Sequence, residues 1–140
     1  MKTERVAGFT VIGQEGRTSN AKEMSGEGVI GSMWGHGVQG SPVVAVYSSY
    51  ASDKDGEYNY LLGRKMGEDE TVPREMTHRI VVPGTYLYLE FAGTVSPEAV
   101  MNLWRHVWEL EHGGEIARAY QTDFEVYGPN GFELYVGVKD

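Results

Sequence analysis

The chain contains no cysteine. Disulfides and thiolate metal sites are therefore excluded, and the composition points to a reducing cytoplasm. Long apolar runs are missing too. The N-terminal MKTERVAGF has no hydrophobic core of a signal peptide, and no stretch approaches the roughly 20 residues of a membrane-spanning helix, so no membrane partner is expected. Basic charge is scarce: 12 Lys and Arg stand against 20 Asp and Glu, a formal charge of −8. That balance argues against direct nucleic-acid binding, which needs basic side chains to displace counterions from phosphate. It favours cationic partners, whose local concentration the field raises, or reflects solubility alone. The four histidines, His36, His78, His106 and His112, lack metal-ligand spacing, and there is no GxSxG nucleophile elbow. Gly26, Gly28 and Gly31 spell GxGxxG, as do Gly35, Gly37 and Gly40, but neither run sits in a strand-turn-helix context. No nucleotide, metal or other cofactor is expected.

What remains is ample for a single domain of 140 residues with a proper core: 41% of residues are apolar and 11% aromatic. The run from Asp123 to Lys139 reads as a hairpin turning at Gly128-Pro129-Asn130-Gly131. Alternation in its second strand sets Phe132, Leu134, Val136 and Val138 on one face and Glu133, Tyr135 and Gly137 on the other. Glu133 beside an aromatic ring and a small residue suits the floor of a pocket for a bulky cation, the alternative being a solvated carboxylate on an edge strand. Upstream, Arg5 to Thr18 reads as one strand, and Thr18-Ser19-Asn20 as caps for a first helix. Its core, Val29 to Trp34, lies among so many glycines that a short or loosened helix is expected. After Ser41-Pro42, strands are expected at Val43 to Tyr50 and Tyr58 to Met66, then two more within Met76 to Phe91, split at Pro83-Gly84. Ser96-Pro97-Glu98 starts a helix that should stop at Gly113-Gly114. Leu103, Val107 and Leu110 lie on one flank of its apolar arc, and Met101, Trp104 and Trp108 on the other.

The two halves share the order strand, helix, strand, strand. YNYLLGRK (Tyr58 to Lys65) superimposes without gaps on FELYVGVK (Phe132 to Lys139), and Met33-Trp34 falls where Leu103-Trp104 falls. The reading is an α+β fold: a single domain over 1–140, with repeat one about 4–66, a linker about 67–75 and repeat two about 76–139. Two such units pair about a pseudo-twofold axis, forming an antiparallel sheet with two helices and a central cleft. The same alignment sets Asn59 opposite Glu133, so the axis is expected to carry one carboxylate only.

RTSN (Arg17 to Asn20), VIGSMW (Val29 to Trp34), VAVYSSYASDKDGEYNYLLG (Val44 to Gly63), VVPGTYLYLEFAG (Val81 to Gly93), the helix with Trp104 and Trp108, and DFEVY followed by FELYVGVK together resemble the AraC-type effector-binding, or gyrase-inhibitor-like, domain. The resemblance is to its standalone branch, which includes integron cassette effector-binding proteins. It implies a module for bulky, often cationic and aromatic compounds, with the family's glutamate mapped onto Glu133 and Tyr135, Trp34, Trp104, Tyr47 and Tyr88 around it. Gly137 departs from the Pro of many relatives, and Tyr135 from their Trp. With the duplicated unit filling the chain, no helix-turn-helix is expected, and a transcriptional role would work through an unknown protein partner. Two alternatives follow from the same resemblance: a hydrolase of cyclopropane-type genotoxins using Glu133, and an inhibitor of a gyrase-like protein.

Overall fold

The computed structural model describes residues 1–38 and 42–140, so Gly40 and Ser41 lie outside the described residues. Strands β1 (Lys2–Val6) and β2 (Phe9–Ser19) open the chain, where one strand was expected. The break falls at Gly8, whose φ of +92° takes the backbone into a region that residues with a side chain rarely adopt. Helix α1 (Asn20–Ser25) starts on Ser19, whose hydroxyl accepts from Lys22 N at 3.2 Å, and ends at Gly26 with φ +85°. Helix α2 (Ile30–Gly35) follows, so two short helices replace the single loosened one. Strands β3 (Val43–Ser48) and β4 (Glu57–Lys65) complete the first half.

The second half runs through β5 (Thr77–Val81), β6 (Gly84–Ala92), α3 (Pro97–His112), β7 (Arg118–Gly128) and β8 (Gly131–Val138). The start of α3 is as the sequence dictates: the Ser96 hydroxyl accepts from Ala99 N at 3.1 Å and Pro97 takes the first turn.

All eight strands form one antiparallel sheet in the order β1-β6-β8-β7-β3-β4-β2-β5. Exchanging each strand of one half for its counterpart in the other reverses this order onto itself, which is the signature of a pseudo-twofold axis between β3 and β7. Each half also lends its first strand to the other, β1 pairing with β6 and β5 with β2. β4 and β8 therefore do not meet on the axis, because β3 and β7 lie between them. Asn59 pairs with Ser48 and Arg17, whereas Glu133 pairs with Glu90 and Val126, so the expected juxtaposition of Asn59 and Glu133 is corrected.

The sheet buries both faces. Val107 and Trp104 of α3 pack on the face carrying Ala45, Tyr47, Tyr60, Leu62, Leu134 and Val136. The other face curls over a second core of Val11, Val44, Val46, Leu61, Val81, Tyr86 and Phe124. Within β2 and β4, Gly13 pairs directly with Gly63. A Cβ on Gly63 would sit 1.8 Å from the Ile12 carbonyl oxygen, and one on Gly13 would sit 2.1 Å from that of Leu62. Gly63→Ala should therefore cost at least about 1–3 kcal/mol, since backbone cannot yield as a side-chain tip can. Chemical denaturation checks this, and an unchanged midpoint would contradict so close an approach.

Candidate functional site

The β7–β8 hairpin turns through Pro129-Asn130 with Gly128 paired to Gly131. That register sets Glu125 opposite Leu134 and Glu133 opposite Val126, and so places the two glutamates on opposite faces of the sheet. Only the Glu125 face is covered by the helices. Across the axis, Glu125 pairs with Ala45, so one carboxylate stands at the centre of the sheet with a methyl group facing it.

Above Glu125 lies a cavity of about 760 Å³, within the roughly 300–1,000 Å³ of drug-sized binding pockets. Its floor is sheet: Tyr47 from β3, Tyr58 and Tyr60 from β4, and Arg118, Glu125 and Tyr127 from β7. Tyr50, just past β3, adds to the wall. The roof is helical: Asn20, Glu23 and Met24 of α1, Ile30 and Trp34 of α2, and Val100, Met101, Trp104 and Trp108 of α3. All three tryptophans of the chain thus border one space. The rings brace one another, with Tyr47 centred 5.0 Å from Trp104, 5.1 Å from Tyr60 and 5.3 Å from Tyr58, and Trp34 centred 4.8 Å from Tyr127. The Trp34 indole N–H also donates to the Tyr60 hydroxyl at 3.0 Å, tying α2 to the sheet.

Glu125 is 0% exposed. Its Oε1 accepts from the Tyr127 hydroxyl at 2.6 Å, and its Oε2 from the Trp104 indole at 2.7 Å and the Tyr47 hydroxyl at 3.1 Å. Every one of these donors is neutral, and no cationic side chain among the described residues pairs with it. Burial pushes the Glu125 carboxyl above the ordinary carboxylate range, against the pull of hydrogen bonds from Tyr127, Trp104 and Tyr47. The Tyr47 and Tyr127 hydroxyls are pushed far up as well, by burial first and then by Glu125, so they remain donors at neutral pH.

The sign of the linkage follows. A carboxyl raised on folding stabilises the protein most below its unfolded value, and that contribution is lost as pH rises through the raised one. Thermal denaturation of the free protein should show wild type losing stability relative to Glu125→Gln as pH climbs out of the acid range. A constant difference between the two would mean that Glu125 titrates normally.

Of the residues singled out in the sequence, Trp34, Tyr47 and Trp104 border the cavity. Glu133, Tyr135 and Tyr88 do not. They cluster on the opposite face, where the Tyr88 hydroxyl lies 2.7 Å from Glu133 Oε2 and 2.9 Å from Glu90 Oε2, and the Tyr135 ring stacks on Phe124 at 4.3 Å. The placement of Glu133 in the cleft is thus corrected: alternation grouped it rightly with Tyr135, but that group faces away from the helices. Glu125, Tyr58, Tyr60, Tyr127 and Arg118 were not singled out. For Glu125 the signal was there, a charge between Phe124 and Val126 in a strand one tight turn from an aliphatic partner face.

Beside the carboxylate sits a second buried charge. Arg118 Nη2 contacts Asp123 Oδ2 at 2.7 Å, both side chains being nearly inaccessible, and the Tyr50 hydroxyl donates to the same Asp123 oxygen. Asp123 Oδ1 accepts from Gly137 N at 2.8 Å. A proline at 137 would lack that donor, and a Cβ on any other residue there would sit 2.9 Å from the Thr122 carbonyl oxygen.

Residues 2–138 match the family model described as Cass2, integron-associated effector binding protein. The chain belongs to this family. Among solved structures, the integron cassette protein VCH_CASS2 from the mobile metagenome of Vibrio cholerae is 27% identical, with 99% of this chain and 95% of that one covered at a TM-score of 0.84. SAV2435, solved bound to tetraphenylphosphonium, shares the fold at 16% identity and a TM-score of 0.74, over 99% of this chain and 93% of that one. YobU of Bacillus subtilis (strain 168), provisionally described as a transcriptional regulator, is 26% identical over 144 residues, 88% of each chain. Membership of an effector-binding family supports small-molecule binding by this chain. No described helix is long and apolar enough to cross a membrane.

Proposed function

We propose that this chain binds bulky aromatic organic cations in the cavity between sheet and helices, with Glu125 meeting the positive charge, and serves as a sensor or sequestering module for them. The observation that carries the reading is Glu125 itself: a fully buried carboxylate, hydrogen-bonded by three neutral donors and left without a cationic partner among the described residues, at the floor of a cavity walled by aromatic rings.

Holding a carboxylate there is costly, since an unpaired buried charge loses its hydration. A lipophilic cation offsets that cost on arrival, and its own desolvation is eased by the π faces of Trp34, Tyr47, Tyr60 and Trp104. A compact ammonium such as lysine's is held in water by stronger hydration, so large, charge-diffuse cations are favoured. That SAV2435, a protein of the same fold, was solved with tetraphenylphosphonium supports this ligand class.

Titration with tetraphenylphosphonium should produce a saturable change in tryptophan fluorescence, because every tryptophan borders the site. Trp104→Phe should remove a large part of that change, and no saturable response in wild type would sink the reading.

A further inference from the structure

The cavity has a second carboxylate, at its open end. Glu23 of α1 borders the roof and is half-buried, and Met24 beside it is 61% exposed, whereas Glu125 lies sealed in the floor. Glu23 Oε2 accepts from the Thr18 hydroxyl at 2.5 Å and from Val29 N at 2.9 Å, so the group is held both by β2 and by the start of α2. Its Oε1 has no hydrogen-bond partner among the described residues and is not closed off from solvent. Glycine makes room for this placement: a Cβ on Gly28 would stand 1.9 Å from Oε2 and 2.3 Å from Oε1. A carboxylate fixed in advance loses little further freedom when a partner arrives.

No cation among the described residues pairs with Glu23. Lys54 also borders the cavity, but its ammonium lies 3.0 and 3.1 Å from the two Asp55 oxygens. Lys22 is turned to Glu57 at 3.0 Å, and Arg118 is matched by Asp123. The walls are thus short of two positive charges, one in the floor and one at the open end. Tyr58 and Tyr60 stand between them. Burial raises both hydroxyls first, and both carboxylates add to it, Glu23 ahead of Glu125 at Tyr58 and Glu125 ahead of Glu23 at Tyr60.

The two ends suit different cations. The dry floor favours a charge-diffuse centre that sheds water easily. At the open end a compact ammonium keeps part of its hydration and offers Oε1 an N–H, which a quaternary centre lacks. Resting on the cation reading above, we infer that the ligand is a dication: a lipophilic aromatic cation at Glu125 whose arm ends in a primary amine or amidine that donates to Glu23 Oε1.

The test measures, by calorimetry at pH 7, (ω-aminoalkyl)triphenylphosphonium ions with arms of two to six methylenes against alkyl analogues that end in CH₃ in place of NH₃⁺. If the arm met only apolar wall, the methyl end would bind tighter, since it buries apolar surface and sheds no charged group's hydration. Wild type should instead favour the ammonium end by about fivefold or more at the best arm length, between the worth of an exposed ion pair and that of a buried charged hydrogen bond. Glu23→Gln, which keeps an oxygen for Thr18 or Val29, should erase or reverse that preference. Glu27→Gln, at an exposed carboxylate that does not border the cavity, removes the same net charge and should keep it. Methyl ends that bind as tightly as ammonium ends, or tighter, in wild type at every arm length overturn the inference, as does a preference that survives Glu23→Gln. A preference lost equally in Glu27→Gln overturns it too, tracing the effect to the charge of the whole chain. Because the wild-type comparison needs no variant, instability of Glu23→Gln does not shelter the proposal. Failure of the methyl-ended ions to bind at all would remove the cation reading beneath it, whereas their binding without any ammonium preference would sink this inference alone.

Discussion

Glu125→Gln is expected to weaken binding of the choline ester of diphenylacetic acid, a lipophilic quaternary ammonium, by about tenfold to a hundredfold, or about 1.4–2.7 kcal/mol. The 3,3-dimethylbutyl ester, in which carbon replaces the ammonium nitrogen, should change by less than about twofold. The substitution is nearly isosteric and leaves an oxygen to accept from Tyr47, Trp104 or Tyr127, so shape and most hydrogen bonds persist. What disappears is the charge, in a setting where the low dielectric makes it count. Equal losses for both esters would mean that Glu125 shapes the cavity without acting electrostatically.

The other large effect concerns the buried pair. Asp123→Ala should destabilise the protein by about 3–5 kcal/mol, because it strands the Arg118 charge. It also removes the acceptor for Gly137 N and for the Tyr50 hydroxyl. In a chain of this size that corresponds to a fall in Tm on the order of 10 °C. Asp123→Asn keeps an acceptor for Gly137 and should lose less. Burial alone would push the Arg118 guanidinium towards neutrality, but Asp123, with Tyr50 and Tyr120, holds it above its ordinary value, so the guanidinium stays charged. A Tm within a degree or two of wild type for Asp123→Ala would mean that Arg118 finds water or another anion.

Much of this architecture is legible in the sequence because local chemistry and global symmetry agree. Ser96-Pro97 and Gly113 bound α3 where the caps dictate, and the gapless match of Tyr58–Lys65 with Phe132–Lys139 announces a duplicated unit that the strand order bears out. What the sequence hides is long-range. Alternation says that Glu133 and Tyr135 share a face, but not which face the helices cover, since both faces of this sheet are apolar. Neither the exchange of β1 and β5 between halves nor the pairing of β3 with β7, which keeps β4 and β8 apart, has a local signal. Trp34, Tyr47 and Trp104 could be placed near a cleft because tandem units bring their helices over the axis. Arg118 could not, because it meets Tyr50 and Asp123 where Ser49 and Tyr120 hold positive φ, which no propensity foretells.

The most direct test is a ¹³C NMR titration of the Glu125 side-chain carboxyl, with and without saturating tetraphenylphosphonium. In the free protein its midpoint should lie above the ordinary carboxylate range, and ligand should drive it down, because the cation binds the ionised form alone. A midpoint indifferent to bound ligand would place the cation elsewhere and contradict the account.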